Sequence, residues 1–239
     1  MTKNRDVTPS VEGGSVVNRS SSAEIDQFLK RAADLAPPTA AGRGRLIFAL
    51  DATMSRQPTW DMAAANQAAM FDAAGQVGGL SVQLVYFRGF GECRASNWVA
   101  DTRALRDLMV RIQCRAGHTQ IGKLLGHVRR ETEKRPVAAL VYVGDAMEEN
   151  PDRLCHQAGE LGLLGVRAFM FHEGRDPAAE RTFREIARLT GGAYLPFNGA
   201  SADELRALLA AVAAYAAGGL KALSARADAA SQRLLPLIR

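Results

Sequence analysis

The chain has 239 residues, 47% of them hydrophobic and 23% charged, with 30 basic against 25 acidic side chains and a formal net charge of +5. That length allows one sizeable domain with appendages, and the composition is that of a globular protein rather than a disordered or collagen-like one. The positive excess is spread along the chain with no block of like charges, which reads as a solvated surface and gives no case for a nucleic-acid footprint.

Cys93, Cys114 and Cys155 are odd in number and too far apart for a C-x-x-C pair, which points to isolated thiols in a reducing compartment. The N-terminus lacks an apolar signal core, and no run of about 18 consecutive apolar residues follows. The expectation is a cytoplasmic protein with no membrane segment.

In chain order, residues 1–22 are rich in Ser, Gly, Asn and Thr and read as a flexible arm. Residues 23–43 form a short amphipathic helix and linker. Ile25, Phe28, Leu29, Ala32 and Leu35 fall at helical spacing, Pro37 and Pro38 end the pattern, and the stripe either packs back or serves as a docking peptide.

From residue 44 to 217 short apolar runs alternate with longer helical patterns. Strands are predicted at 45–50, 81–87, 137–143, 166–171 and 193–197, with an edge strand at 91–98 in a hairpin through Gly89 and Gly91. Helices are predicted at about 58–75, 101–112, 120–134, 151–163, 177–190 and 201–217, with Asp101 and Ser201 as N-caps and Pro151 and Pro177 near helix starts. This is the pattern of a doubly wound, mostly parallel α/β sheet with helices on both faces and one antiparallel edge strand. Residues 218–239 place Leu220, Leu223, Ala227, Leu234 and Leu235 in a broken helical pattern, an extension for core packing or self-association.

In such a sheet the loops after successive strands gather along one edge, where ligands bind. Three segments bring oxygen atoms there. "LDATMS" carries Asp51, Thr53 and Ser55 out of the first strand, "AGHTQIG" supplies Thr119 at a helix entrance, and "VGDAMEE" delivers Asp145 after a buried strand. Carboxylate and hydroxyl oxygens suit hard cations. Taken alone, the first loop is equally well an Asp and two hydroxyls capping a helix.

The three segments together resemble the von Willebrand factor A (vWA) family, with its D-x-S-x-S loop, its Thr in a G-x-T-x-x-G context and its Asp after the fourth strand; "TGGAY" at 190–194 is similar to the family's segment before the last strand. The resemblance spans roughly 45–217 and departs at Thr53, where the family usually has Ser. It implies a metal-ion-dependent adhesion site with Asp51, Thr53, Ser55, Thr119 and Asp145 around a divalent cation, magnesium first, manganese or calcium as alternatives. It also implies a vacant position for an Asp or Glu of a protein partner, no catalysis, and an intracellular, bacterial-type setting. Arg56, Gln57, Trp60, His118, Met147, Glu148 and Glu149 flank the ligand loops and are the expected rim, each with a plainer reading as a helix, loop or first-turn residue.

The rival is an enzyme. Haloacid dehalogenase-like phosphatases also place an Asp nucleophile after the first strand and a G-D pair after a later one, which Asp51 and "VGDAMEE" imitate, but their usual second acid is Thr53 here. No G-x-S-x-G elbow and no G-x-x-x-x-G-K-[ST] loop is present. A scaffold with a vestigial metal site is the third reading.

Overall fold

The computed structural model describes residues 44–57, 79–100, 109, 111–197 and 202–238. The predicted helices at 58–75 and within 23–43, most of that at 101–112, the N-caps Asp101 and Ser201, and the arm 1–22 lie outside them.

β1 (Gly44–Asp51) is flanked by parallel β2 (Leu80–Arg88) and parallel β4 (Ala139–Gly144). β5 (Arg167–Glu173) and β6 (Ala193–Phe197) continue the parallel sheet beyond β4, and β3 (Glu92–Ala95) pairs antiparallel with β2 at the other edge. The strand order is β3-β2-β1-β4-β5-β6. The predicted fold class is the observed one, with the edge strand shorter than its predicted span.

A central strand covered on both faces has no polar side to show, and β1 is buried from Arg45 to Asp51. Its side chains alternate between two cores. Leu46, Phe48 and Leu50 join one apolar cluster, and Ile47 and Ala49 join the other.

Among the described residues three helices cover the second face: α1 (Ile121–Lys134), α2 (Pro151–Leu163) and α3 (Pro177–Thr190). The prolines of α2 and α3 sit in the first turn as expected, while the caps are Asn150 and Asp176, whose side chains accept from Arg153 N–H and from Ala178 and Ala179 N–H. The first face is covered by α4 (Ala202–Ser224) and α5 (Ala229–Leu234).

Helix α4 runs past the predicted end at 217 and breaks at Gly218 and Gly219, where the backbone leaves helical geometry. Its stretch Leu205–Ser224 is long and apolar enough to cross a membrane by length and composition. Leu208, Val212 and Leu223 are buried in the same cluster as β1, which accounts for that apolarity as core packing. Leu234 and Ile238 of the tail join that cluster too, so the extension packs on the core.

A polar clamp ties the amino end of β1 to the last turn of α1. The Arg45 guanidinium donates to Glu131 Oε2 at 2.8 Å and lies 3.7 Å over the Trp98 ring, whose Nε1–H donates to the same oxygen at 2.7 Å. Burial raises the Glu131 pKa, but bonds from Lys134, Trp98 and Arg45 outweigh it and bring it to about 2. A carboxyl depressed from 4.5 to about 2 stabilises the fold above its unfolded pKa, and that stability is lost as pH falls through this window. Glu131→Gln is expected to lose about 2 kcal/mol at pH 7, after discounting for solvent screening. In urea titrations the gap to wild type should close near pH 2 and persist at pH 7; a constant gap would refute the clamp.

Candidate metal centre

The sheet order turns back between β1 and β4, so the loops after these two strands diverge and leave a crevice beyond their carboxyl ends. Leu50 pairs with Val143, which places Asp51 and Asp145 at that crevice on neighbouring strands. Gly144 pairs with His172, which sets Glu173, the last residue of β5, beside them. Three acidic residues thus line up across three adjacent strand ends.

Asp51 is 0% exposed. Its Oδ1 accepts the Thr53 N–H at 2.8 Å, while its Oδ2 is buried with no hydrogen-bond partner. Asp145 Oδ1 is in the same condition. Burial pushes the Asp51 pKa up to about 6; hydrogen bonds from Thr53 oppose the shift, the nearby Asp145 charge adds to it, and Arg56 opposes it. Thr53 Oγ1 and Ser55 Oγ lie 3.1 Å apart. The first loop therefore gathers its carboxylate and both hydroxyls, and Asp145 stands within electrostatic reach of Asp51.

Thr119 is buried and is tied to the Asp145 loop rather than directly to Asp51. Its N–H donates to Glu148 Oε2 at 2.8 Å, and its Oγ1 accepts the Glu148 N–H at 3.2 Å. The next residue continues the lock. Glu149 accepts from the N–H groups of Ile121 and Gly122, the latter at 2.8 Å, and so caps α1, whose N-cap residue Gln120 makes no side-chain cap bond. The second and third ligand segments are held to one another by four hydrogen bonds across 27 to 29 residues of sequence. The plainer reading, acids at the first turn of a nearby helix, fits Glu149, and the helix it serves is α1, which precedes it in the chain.

The other side of the Thr119 loop rests on the β2–β3 turn. A Cβ on Gly117 would stand 2.1 Å from the Gly89 carbonyl oxygen, so only glycine lets the two backbones approach. The Phe90 ring, 82% exposed at the tip of that turn, packs edge-on against His118 at 5.4 Å.

The expected rim is only partly a rim. Gln57, His118 and Glu148 are exposed, although Glu148 also holds Thr119. Met147 is half-buried against the core cluster beneath α1 to α3. Arg56 is a correction: it is 1% exposed and pairs with Glu173 Oε2 at 2.6 Å. A guanidinium one turn after a buried carboxylate is drawn inward by the two acids near it. Trp60 lies outside the described residues.

Two groups escaped the sequence reading. Glu173 is hidden in the sequence because the apolar run ends at Phe171. His172, 1% exposed, has its Nε2 3.3 Å from the Asp145 carbonyl and its Nδ1 2.9 Å from the Tyr194 hydroxyl. A carbonyl only accepts, so Nε2 carries the proton and the Tyr194 hydroxyl donates to Nδ1 in the neutral ring. The ring thereby fixes the backbone that carries Asp145. Exposed Met54 and Phe90 were also missed, since single surface apolar residues leave no pattern.

The donor set fits a hard cation. It consists of oxygens alone, two of them buried carboxylate atoms lacking any hydrogen bond. Among the described residues no group of three or more His, Cys, Asp or Glu side chains forms a cluster fit for a metal, so the hydroxyls would have to complete the shell. Counting Asp51, Asp145 and Glu173 against Arg56, the ionised site carries two net negative charges, which a divalent ion balances.

No protein-family model matches the sequence, and no curated protein matches it. Solved structures do match in fold. A von Willebrand factor type A protein from Catenulispora acidiphila aligns with a TM-score of 0.59 at 17% identity, over 73% of this chain and 43% of that one. The vWF domain of the type V pili tip protein Mfa5 from Porphyromonas gingivalis gives 0.59 at 9%, over 72% and 94%. The SpRpn10 VWA domain gives 0.57 at 9%, over 68% and 95%. This chain spans less than half of the first of these and nearly all of the other two. The fold is vWA-like α/β.

Proposed function

We propose that this chain is a protein-interaction module that holds a divalent cation, magnesium first, at the carboxyl edge of its sheet and engages an acidic residue of a protein partner through it. The observation that carries the reading is the pair of buried, unpartnered carboxylate oxygens, Asp51 Oδ2 and Asp145 Oδ1. An anionic oxygen removed from water and given no donor is costly, and a cation is the group that relieves two of them at once.

Asp51 and Asp145 would hold the ion directly or through water, Thr53 and Ser55 would offer their hydroxyls, and Thr119 would complete the shell directly or through water. The bound ion supplies attraction for one further anionic oxygen, which a partner's Asp or Glu provides. The Thr53 methyl restricts its rotamer but keeps the hydroxyl that a serine would use. Gln57 and His118 stand exposed on the ligand loops, with Phe90 against His118, and offer polar and apolar contacts around that acid.

The phosphatase alternative is disfavoured by the same geometry. A carboxylate that is 0% exposed, with one oxygen committed to the Thr53 N–H, is badly placed to attack a phosphorus atom. The vestigial-scaffold alternative has one observation in its favour, because the Arg56 charge already opposes the Asp51 shift. Titration calorimetry with magnesium and with manganese decides between these readings. Wild type is expected to bind one ion, and Asp51→Ala and Asp145→Ala, each with an unchanged circular dichroism spectrum, are expected to lose it. Equal binding in wild type and variants would remove the proposed site, no binding in wild type would leave the scaffold, and magnesium-dependent turnover of a phosphate ester would restore the enzyme.

A further inference from the structure

A cavity of about 380 Å³ opens between β3, α1 and the start of α2, bordered by Gly122, whose N–H is held by Glu149. Its wall carries Arg94 from β3, Lys123, His127 and Arg130 from α1, and Arg153 and Gln157 from α2; among the described residues no carboxylate lines it, although Glu149 abuts Gly122. Four cationic side chains converging from three elements is not what a solvated surface does by default. Elsewhere on this protein exposed arginines pair along their own helix, as Arg129 does with Glu133, Arg184 with Glu180 and Arg188 with Glu185.

The pairing of the four is poor by comparison. Arg94 meets Glu92 at 3.1 Å. Lys123 Nζ donates to neutral acceptors only, the Gly91 carbonyl at 3.2 Å and Gln120 Oε1 at 2.9 Å. Arg130 and Arg153 have no ion-pair partner among the described residues. The field of Lys123 and Arg130 reaches the Cys93 thiol in the same wall, where burial raises the pKa, the two cations oppose that rise and the Glu149 charge adds to it.

The shape of the cavity is written into α1. Gly122 and Gly126 stand one turn apart and both face it. A glycine inside a helix costs roughly 1 kcal/mol relative to alanine, so Gly126 weakens α1 unless the space it leaves is used, whereas at Gly122 a Cβ would crowd Glu149 Oε1 at 3.1 Å and Gln157 Oε1 at 3.2 Å and packing accounts for the glycine. At Gly126 a Cβ would meet only the Arg130 guanidinium, at an ordinary 3.6 Å, so packing alone does not demand glycine there. Volume kept open at Gly126 and the unpaired charges of Arg130 and Arg153 coincide at one place.

We propose that this cavity is an anion site for a compact phosphate-bearing small molecule, independent of the metal centre. Two guanidinium groups can grip phosphate oxygens in bidentate fashion while Lys123 adds a point charge. The wall has no aromatic surface for a nucleobase, and the volume suits a pyrophosphate or a sugar phosphate.

Inorganic pyrophosphate is the probe, titrated by calorimetry into the full chain at constant ionic strength with no divalent cation added. The expected result is saturable one-to-one binding. Arg130→Gln and Arg153→Gln should each weaken it at least tenfold, whereas Arg181→Gln, on the exposed side of α3, should not. Gly126→Leu should abolish it by filling the space with the charge intact, and the change strengthens the helix rather than breaking it. Asp51→Ala should bind as wild type does. Absence of saturable heat at millimolar pyrophosphate, equal losses in Arg181→Gln, or unaltered binding in Gly126→Leu would each overturn the proposal. So would loss of binding in Asp51→Ala, which would move the anion to the metal centre, or a phosphoserine peptide binding tenfold tighter than pyrophosphate, which would reassign the cavity to a protein partner.

Discussion

Asp51→Asn is expected to make the metal-free protein more stable at neutral pH, by about 2–3 kcal/mol. The Asp51 carboxyl, ordinarily near 3.8, is pushed up to about 6 by burial and by the Asp145 charge. An acid whose folded pKa lies above its unfolded one stabilises the fold while protonated, and that contribution is lost as pH rises from 3.8 through about 6. Above that window the apo fold carries a buried charge it cannot satisfy. Asparagine keeps the oxygen that accepts the Thr53 N–H and removes the charge beside Asp145. Magnesium should close that gap. At a hundredfold excess over Kd, binding adds about 2.7 kcal/mol to wild type and nothing to the variant. Thermal unfolding at pH 7, with chelator and then with magnesium, reads both halves. A variant that is less stable in chelator and gains as much from magnesium as wild type does would refute this account of Asp51.

The acidic crevice was legible because its chemistry follows strands with strong local signals. Arg45–Leu50 and Val137–Val143 are apolar runs that end in an Asp or a Gly-Asp, and a parallel sheet brings such ends to one edge whatever lies between. What holds the crevice together was not legible. Glu148 and Glu149 sit next to Pro151, where first-turn acids belong, and nothing local says that they reach back 27 to 29 residues to Thr119, Ile121 and Gly122. A helix lacking its own cap is the one hint, and it does not name the residue that supplies it. His172 and Glu173 were lost for the opposite reason. A polar pair at the end of an apolar run reads as the start of a loop, yet β5 extends through both and buries them.

Arg56 shows how far a surface-like residue can be from the surface, and it carries the second large expectation. Flanked by Ser55 and Gln57, both exposed, it is itself 1% exposed, and its pairing with Glu173 at 2.6 Å ties the loop after β1 to the end of β5. Two ions are taken out of water in this contact, so the pair contributes little net stability, but breaking it strands a charge. Glu173→Leu is therefore expected to cost about 3–5 kcal/mol, and Arg56→Met a similar amount. Arg56→Met combined with Glu173→Leu should recover most of the loss, because two apolar side chains of comparable volume replace the pair. Metal binding should respond differently. The double variant removes one positive and one negative charge and leaves Asp51 and Asp145 in place, so its net charge at the crevice stays at minus two and its magnesium affinity is expected within a few-fold of wild type. Arg56→Met alone should bind more tightly than wild type if it folds, since it deletes the cation that opposes the ion. Urea titration and magnesium calorimetry on the three variants test the pair and the charge balance separately. A double variant as unstable as the worse single, or Arg56→Met binding magnesium more weakly than wild type, would show that Arg56 supports the crevice by some contact other than its charge.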